Sequence, residues 1–147
     1  MQAEFTDQVA FVTGAGSGIG AAVAVRLASG GARVAVADID ELGADRTVHL
    51  IREFGGYAEA IAVDVSDPTS VETAVTKTVA SFGALRLAVN NAGVTGAAAP
   101  TGEYDPQDWR RVIDVNLNGI FYCLRHEIPA LLTAGGGSIV NFLRAGH

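Results

Sequence analysis

The sequence predicts an α/β fold, a doubly wound parallel sheet of about five strands in the order 3-2-1-4-5, with helices on both faces. Three observations predict it. Short β-branched runs alternate along the 147 residues with longer stretches of helical periodicity, the pattern of successive βαβ units. The strand-like runs are apolar nearly throughout, as in Arg33-Val34-Ala35-Val36-Ala37-Asp38, which suits strands covered on both faces. Glycines gather at the joints between the two kinds of segment.

Residues 9–13 are the first predicted strand, stopped by Gly14, Gly16, Gly18 and Gly20. Residues 21–28 follow as a helix ended by Gly30-Gly31. Residues 33–38 are the second strand, and residues 41–54 a helix carrying Leu42, Val48, Ile51 and Phe54. Residues 58–65 are the third strand. Asp67-Pro68 then supplies an N-cap and a first-turn proline. The helix they open runs to about Phe82, with Val71, Val75 and Val79 on one face. Residues 85–90 are the fourth strand, leading into Asn90-Asn91-Ala92-Gly93 and a loop of small residues, 94–102.

Asp105-Pro106 opens the longest helix. Its apolar positions, Trp109, Val112, Ile113, Leu117, Ile120, Phe121, Leu124, Ile128 and Leu131, form a broad stripe expected to pack. Pro129 is expected to kink it, Gly135-Gly136-Gly137 to stop it, and residues 138–143 to begin a fifth strand. Reversal of strand order between the first and fourth strands places the expected ligand cleft at their carboxyl ends.

Composition narrows the function. With 49% hydrophobic and 18% charged residues the chain buries a core and forms a single domain over residues 1–147. A net charge of −6 argues against nucleic acid or an anionic membrane as partner. No apolar run is long enough to span a bilayer, and the first residues do not read as a secretion signal. One cysteine, Cys123, excludes an internal disulfide and suits a reducing cytoplasm; it is expected to be a buried thiol. His49, His126 and His147 share no metal-ligand spacing, so no metal site is expected.

The glycine run is the first functional signal. It follows a strand and opens a helix, so backbone free of Cβ atoms can approach a pyrophosphate while the helix N-terminus attracts the anion. The spacing is Gly14-x-x-x-Gly18-x-Gly20, and no lysine follows, which excludes a P-loop. The competing reading is a merely tight strand-to-helix turn. Asp38 closes the second strand, where a carboxylate can accept both adenosine-ribose hydroxyls and repel a 2′-phosphate. Ile39 beside it offers no positive charge to that phosphate, so NAD is favoured over NADP.

Thr13-Gly14-x-x-x-Gly18-x-Gly20, Asp64-Val65, Asn90-Asn91-Ala92-Gly93 and Asn116 occur in one order over nearly the whole chain, which thereby resembles the short-chain dehydrogenase/reductase family. The resemblance implies a Rossmann-like sheet and hydride transfer between a nicotinamide cofactor and an alcohol or ketone. It implies that Gly14, Ser17, Gly18, Ile19 and Gly20 meet the phosphates and adenosine side. Asp38 and Ile39 would border the ribose, and Asp64 and Val65 the adenine. Asn90, Ala92 and Gly93 would line the cofactor and brace the central strand. Asn116 would bend its helix and hold a water of the proton relay, a homo-oligomer being usual in the family. A core amide satisfied by its neighbours is the other reading of Asn116.

The resemblance also implies a catalytic Ser and a Tyr-x-x-x-Lys pair, and these this chain does not contain. Four residues after Tyr57, Tyr104 and Tyr122 stand Ile61, Asp108 and His126, and Lys77 is the single lysine. Arg144 falls where the family serine is expected, after Ser138-Ile139-Val140-Asn141. The expectation is therefore a C-terminally truncated family fold, with the departure after Asn141 read as a frameshift in the gene. Its cofactor half is present and its nicotinamide half incomplete, so it should bind dinucleotide weakly and not turn over. A non-catalytic dinucleotide-binding or regulatory module is the alternative.

Overall fold

The computed structural model describes residues 3–143. Along the chain run β1 (Val9–Thr13), α1 (Gly18–Ser29), β2 (Arg33–Asp38), α2 (Glu41–Glu53), β3 (Tyr57–Ala62), α3 (Pro68–Phe82) and β4 (Leu85–Asn90). A 3-10 turn (Thr101–Glu103), α4 (Pro106–Ile113), a π-helical segment (Asp114–Asn118), α5 (Gly119–Thr133) and β5 (Ser138–Asn141) follow. The strands form one sheet ordered β3-β2-β1-β4-β5, and each neighbouring pair is parallel. The predicted doubly wound α/β architecture is the one observed.

The central strand explains the unbroken apolar pattern. Every residue of β1 is buried, and successive side chains enter different cores. Val9 and Phe11 join Ala35, Ala37, Val71, Val75 and Leu131 on one face of the sheet. Ala10 and Val12 join Val34, Val36, Ala24 and Val48 on the other. Full burial of Phe11 contributes about 2–3 kcal/mol.

Element ends depart from the sequence reading for physical reasons. α1 starts at Gly18 rather than at residue 21, because the chain is helical as soon as it leaves the glycine turn. β3 stops at Ala62, whose partner Asp38 is the last residue of β2. One further bond, Val63 N–H to Asp38 O at 3.1 Å, leads the chain off the sheet. On α2 the buried residues are Gly43, Ala44, Thr47, Val48 and Ile51, while Leu42 and Phe54 are exposed. On α3, Thr78 and Phe82 are buried where Val79 was expected to be.

The longest helix differs most. It is interrupted by the π segment, continues through Pro129 to Thr133, and presents two apolar faces instead of one stripe. The buried seam is Gly119, Cys123, Glu127 and Leu131, a strict four-residue spacing over β4 and α3. No residue of α4 is buried. Leu117, Phe121 and Ile128 are exposed, and so is Trp109, whose ring stands at 89° to that of Tyr104 with centroids 6.3 Å apart. Among the described residues β5 pairs with β4 and is the last strand of the sheet on that side. Among the described residues no helix is long and apolar enough to cross a membrane.

Candidate functional site

A cleft of about 220 Å³ opens at the carboxyl ends of the strands, where β1 and β4 lie side by side and their connections diverge. Gly14 and Ser17 line it from the first turn, and Asp38 and Ile39 from the end of β2. Val63, Asp64 and Val65 reach it after β3, Ala92, Gly93 and Val94 after β4, and Val115 from the π segment. Four connections that are distant in sequence thus converge on one concavity. Gly18, Ile19 and Gly20 stand behind Ser17 in the first turn of α1 and are not part of its lining. Nor is Asn90, whose side chain is buried beneath the wall.

Two glycines shape the turn. Gly14 has φ +64°, and a Cβ there would sit 2.9 Å from Ala92 Cα, so only glycine lets β1 turn under the β4 loop. At Gly20 a Cβ would strike the Gly14 carbonyl, so α1 can start this close to the turn only without one. Ser17, the N-cap of α1, makes no side-chain cap. Ser17 lines the cleft, and the leading N–H groups of a 12-residue helix point to that end of the element.

Asp38 is held from both sides. Gly16 N–H donates to Oδ2 at 2.8 Å and Asp40 N–H donates to Oδ1 at 2.9 Å. A carboxylate offers about four acceptor positions, so two remain for hydroxyls entering the cleft. Gly16, absent from the sequence-predicted set, is thereby a positioning residue; its place in the glycine run was the available signal. On the opposite wall Asp64 Oδ1 accepts from Ser66 N–H at 3.0 Å and from the Ser66 hydroxyl at 2.6 Å. Among the described residues its other oxygen accepts no such bond. Val65 packs on Gly119, where a Cβ would lie 2.9 Å from Val65 Cγ2.

The wall after β4 is fastened from beneath. Thr13 Oγ1 accepts from the backbone N–H groups of Asn91 and Ala92, both at 3.0 Å. Asn91 Nδ2 donates back to Thr13 O and Gly14 O at 3.3 and 3.2 Å. Asn90 Nδ2 donates to Glu127 Oε1 at 2.8 Å and to Asn141 Oδ1 at 2.9 Å. Glu127 has 0% exposure, and burial raises its carboxyl to about 7. Sequence reading missed it. The one available signal was its place four residues after Cys123 and eight after Gly119.

Asn116 lies in the π segment. Its Oδ1 accepts from Val94 N–H and its Nδ2 donates to Val94 O, both at 2.8 Å. The side chain therefore copies a strand partner for the start of the loop after β4. Further along that loop Asp108 Oδ2 accepts from Ala97 N–H and from the Tyr104 hydroxyl. Arg111 donates to Asp108 Oδ1 and to Thr95 O. The Ala97 amide, then Tyr104 and Arg111, pull the Asp108 carboxyl to about 2, and donation to that carboxylate raises the Tyr104 phenol. Tyr104 thus acts as a strut that holds Asp108 and the loop in place.

Cys123 is buried, and its thiol is pushed up first by burial and then by Glu127, so no thiolate forms. Arg144 and His147 lie outside the described residues. Among those described, no three metal-ligating side chains come together.

Comparison with known proteins places this geometry. The chain is 48% identical over 141 residues to the cyclohexanol dehydrogenase of Acinetobacter sp. (strain SE19), a match covering 96% of this chain and 56% of that protein. It is 43% identical to the cis-4-hydroxycyclohexanecarboxylate dehydrogenase of Sinomonas cyclohexanicum, covering 93% of this chain and 55% of that one. The chain therefore spans about half the length of these curated relatives. The crystal structure of levodione reductase superposes with a TM-score of 0.90 at 35% identity, over 93% of this chain and 54% of the other. A family model described as short chain dehydrogenase matches residues 8–143, and with the glycine turn, the Asp38 and Asp64 walls and the π segment in one cleft, the chain belongs to the short-chain dehydrogenase family.

Proposed function

We propose that residues 1–147 form the dinucleotide-binding part of an NAD(H)-dependent oxidoreductase acting on secondary alcohols or ketones carried on a six-membered ring. The Asp38 carboxylate carries the cofactor reading: it is aimed into the cleft, fixed by two backbone N–H groups, and retains free lone pairs. The residues fit an adenosine dinucleotide. Gly14 and Gly20 let β1 turn into α1 this tightly against Asn91 and Ala92, which brings the N-terminus of α1 to face the position of a pyrophosphate. Asp38 would accept the ribose hydroxyls and repel a 2′-phosphate, and Ile39 adds no compensating charge. Asp64 and the Val65 backbone would hold the adenine edge, and Ala92, Gly93 and Val94 would exclude water from its other face. When bound, the cofactor supplies the hydride. Asn116, having tied both ends of its amide to Val94, retains one N–H for a water on a proton path.

The substrate class rests on the relatives named cyclohexanol and cis-4-hydroxycyclohexanecarboxylate dehydrogenases. The three tyrosines lack a lysine four residues on, so residues 1–147 alone are expected to bind without turnover, as a non-catalytic dinucleotide module also would. Fluorescence titration of the purified chain with NADH and NADPH tests this. Tighter NADH binding and no oxidation of cyclohexanol are expected; preference for NADPH, or no binding of either, overturns the cofactor reading. Oxidation of cyclohexanol by this chain overturns the expectation of no turnover.

A further inference from the structure

A carboxyl group with no solvent exposure ties three elements together at the back of the cleft. Glu127 on α5 accepts from Asn90 at the end of β4, and Asn90 donates at the same time to Asn141 at the end of β5. Phe142 N–H donates to Asn90 O at 3.0 Å, closing the cluster. Two acceptors in it, Glu127 Oε2 and Asn90 Oδ1, are buried with no partner among the described residues. A cluster with two unpaired acceptors is short of a donor, and one proton on Glu127 supplies it. Asn90 is followed directly by Asn91, Ala92 and Gly93, whose backbone is pinned by Thr13 and forms one wall of the cleft.

We propose that Glu127 is a positioning residue for the cleft: through Asn90 it sets the wall formed by Ala92 and Gly93, so that dinucleotide affinity depends on whether this buried carboxyl carries its proton. The proposal rests on the dinucleotide reading of the cleft given above. Loss of the proton leaves a buried charge with a single hydrogen bond, a state relieved by admitting water or by moving α5 away from β4, and either displaces Asn90. The other ionisable groups on the packed elements do not offset that charge. Cys123 is the neighbour in the same seam, Glu72 and Lys77 on α3 are exposed, and His126 borders a groove with Glu72. Arg86 on β4 gives its guanidinium to Ala134 O at 3.1 Å, and β5 bears no ionisable side chain. Among the described residues no cation pairs with Glu127. Burial, which raises the Glu127 carboxyl to about 7, puts the transition near neutral pH.

The test uses amide NMR spectra and NADH fluorescence titrations of the chain and of Glu127→Gln over a pH range of about 5.5 to 8.5. In the unsubstituted chain the amides of Asn91, Ala92, Gly93 and Phe142 should titrate together near pH 7, with NADH bound about three- to tenfold more tightly at pH 6 than at pH 8. Glu127→Gln, neutral at every pH, should hold those amides and the affinity at their low-pH values. Amides that do not titrate in the unsubstituted chain overturn the proposal without reference to any variant. The same titration persisting in Glu127→Gln overturns it as well, and assigns the response to another group. Titrating amides with no NADH binding at any pH support the Glu127 linkage and overturn the cofactor reading instead.

Discussion

Asp38 carries most of the expected selectivity in one side chain. Hydroxyls bound to an ionised carboxylate contribute about 1.5–3 kcal/mol each, so Asp38→Ala is expected to weaken NADH at least tenfold and to narrow the gap to NADPH. Parallel fluorescence titrations with the two nucleotides measure both effects. Glu127 raises the opposite question, an acid placed where ionisation is costly. The unfolded carboxyl loses its proton near 4.5 and the folded one near 7, so between those values the native state holds the extra proton. Stability is then complete below pH 4.5 and falls as pH rises to about 7, by about 3 kcal/mol at most. Urea midpoints for the chain should fall over that window, and those of Glu127→Gln should not share this loss.

The π segment is the element that couples the long helix to the cleft. Its extra residue puts Asn116 opposite Val94 and brings Gly119 against Val65. Asn116→Ala leaves both backbone groups of Val94 without this partner, a loss of about 1–3 kcal/mol, and amide exchange should quicken through residues 94–97 before it does in the sheet. Gly119→Ala tests the close approach. A Cβ 2.9 Å from Val65 Cγ2 should cost about 1–3 kcal/mol, read as a lowered urea midpoint, and should weaken NADH because Val65 lines the cleft. These contacts were only partly legible. Asn116 stands out as a polar residue among apolar ones, whereas the π geometry depends on where Val94 and Val65 arrive from other connections.

For the whole molecule, the uncovered face of the long helix matters most. Leu117 is 60% exposed and Phe121 59%, and no described element packs over them. An apolar face of this kind favours association. Phe121→Glu should lower concentration-dependent light scattering while leaving NADH affinity unchanged, since Phe121 is absent from the cleft.

Fold class, strand order and the convergence of the carboxyl ends of β1 and β2 on one cleft were legible in the residues, because they rest on local rules. Continuous apolar runs mark doubly covered strands, glycines mark the turns, and right-handed crossovers leave few arrangements. Asp38 was legible for the same reason, as an acid at a strand end. Which apolar residues of the long helix are buried was not, since exposed Leu117 and buried Leu131 are the same residue type and their difference is which face meets β4 and α3. Glu127 shows the limit most clearly. On a helix its residue type points to solvent, and only the meeting of α5 with the ends of β4 and β5 turns it into a buried carboxyl that needs its proton.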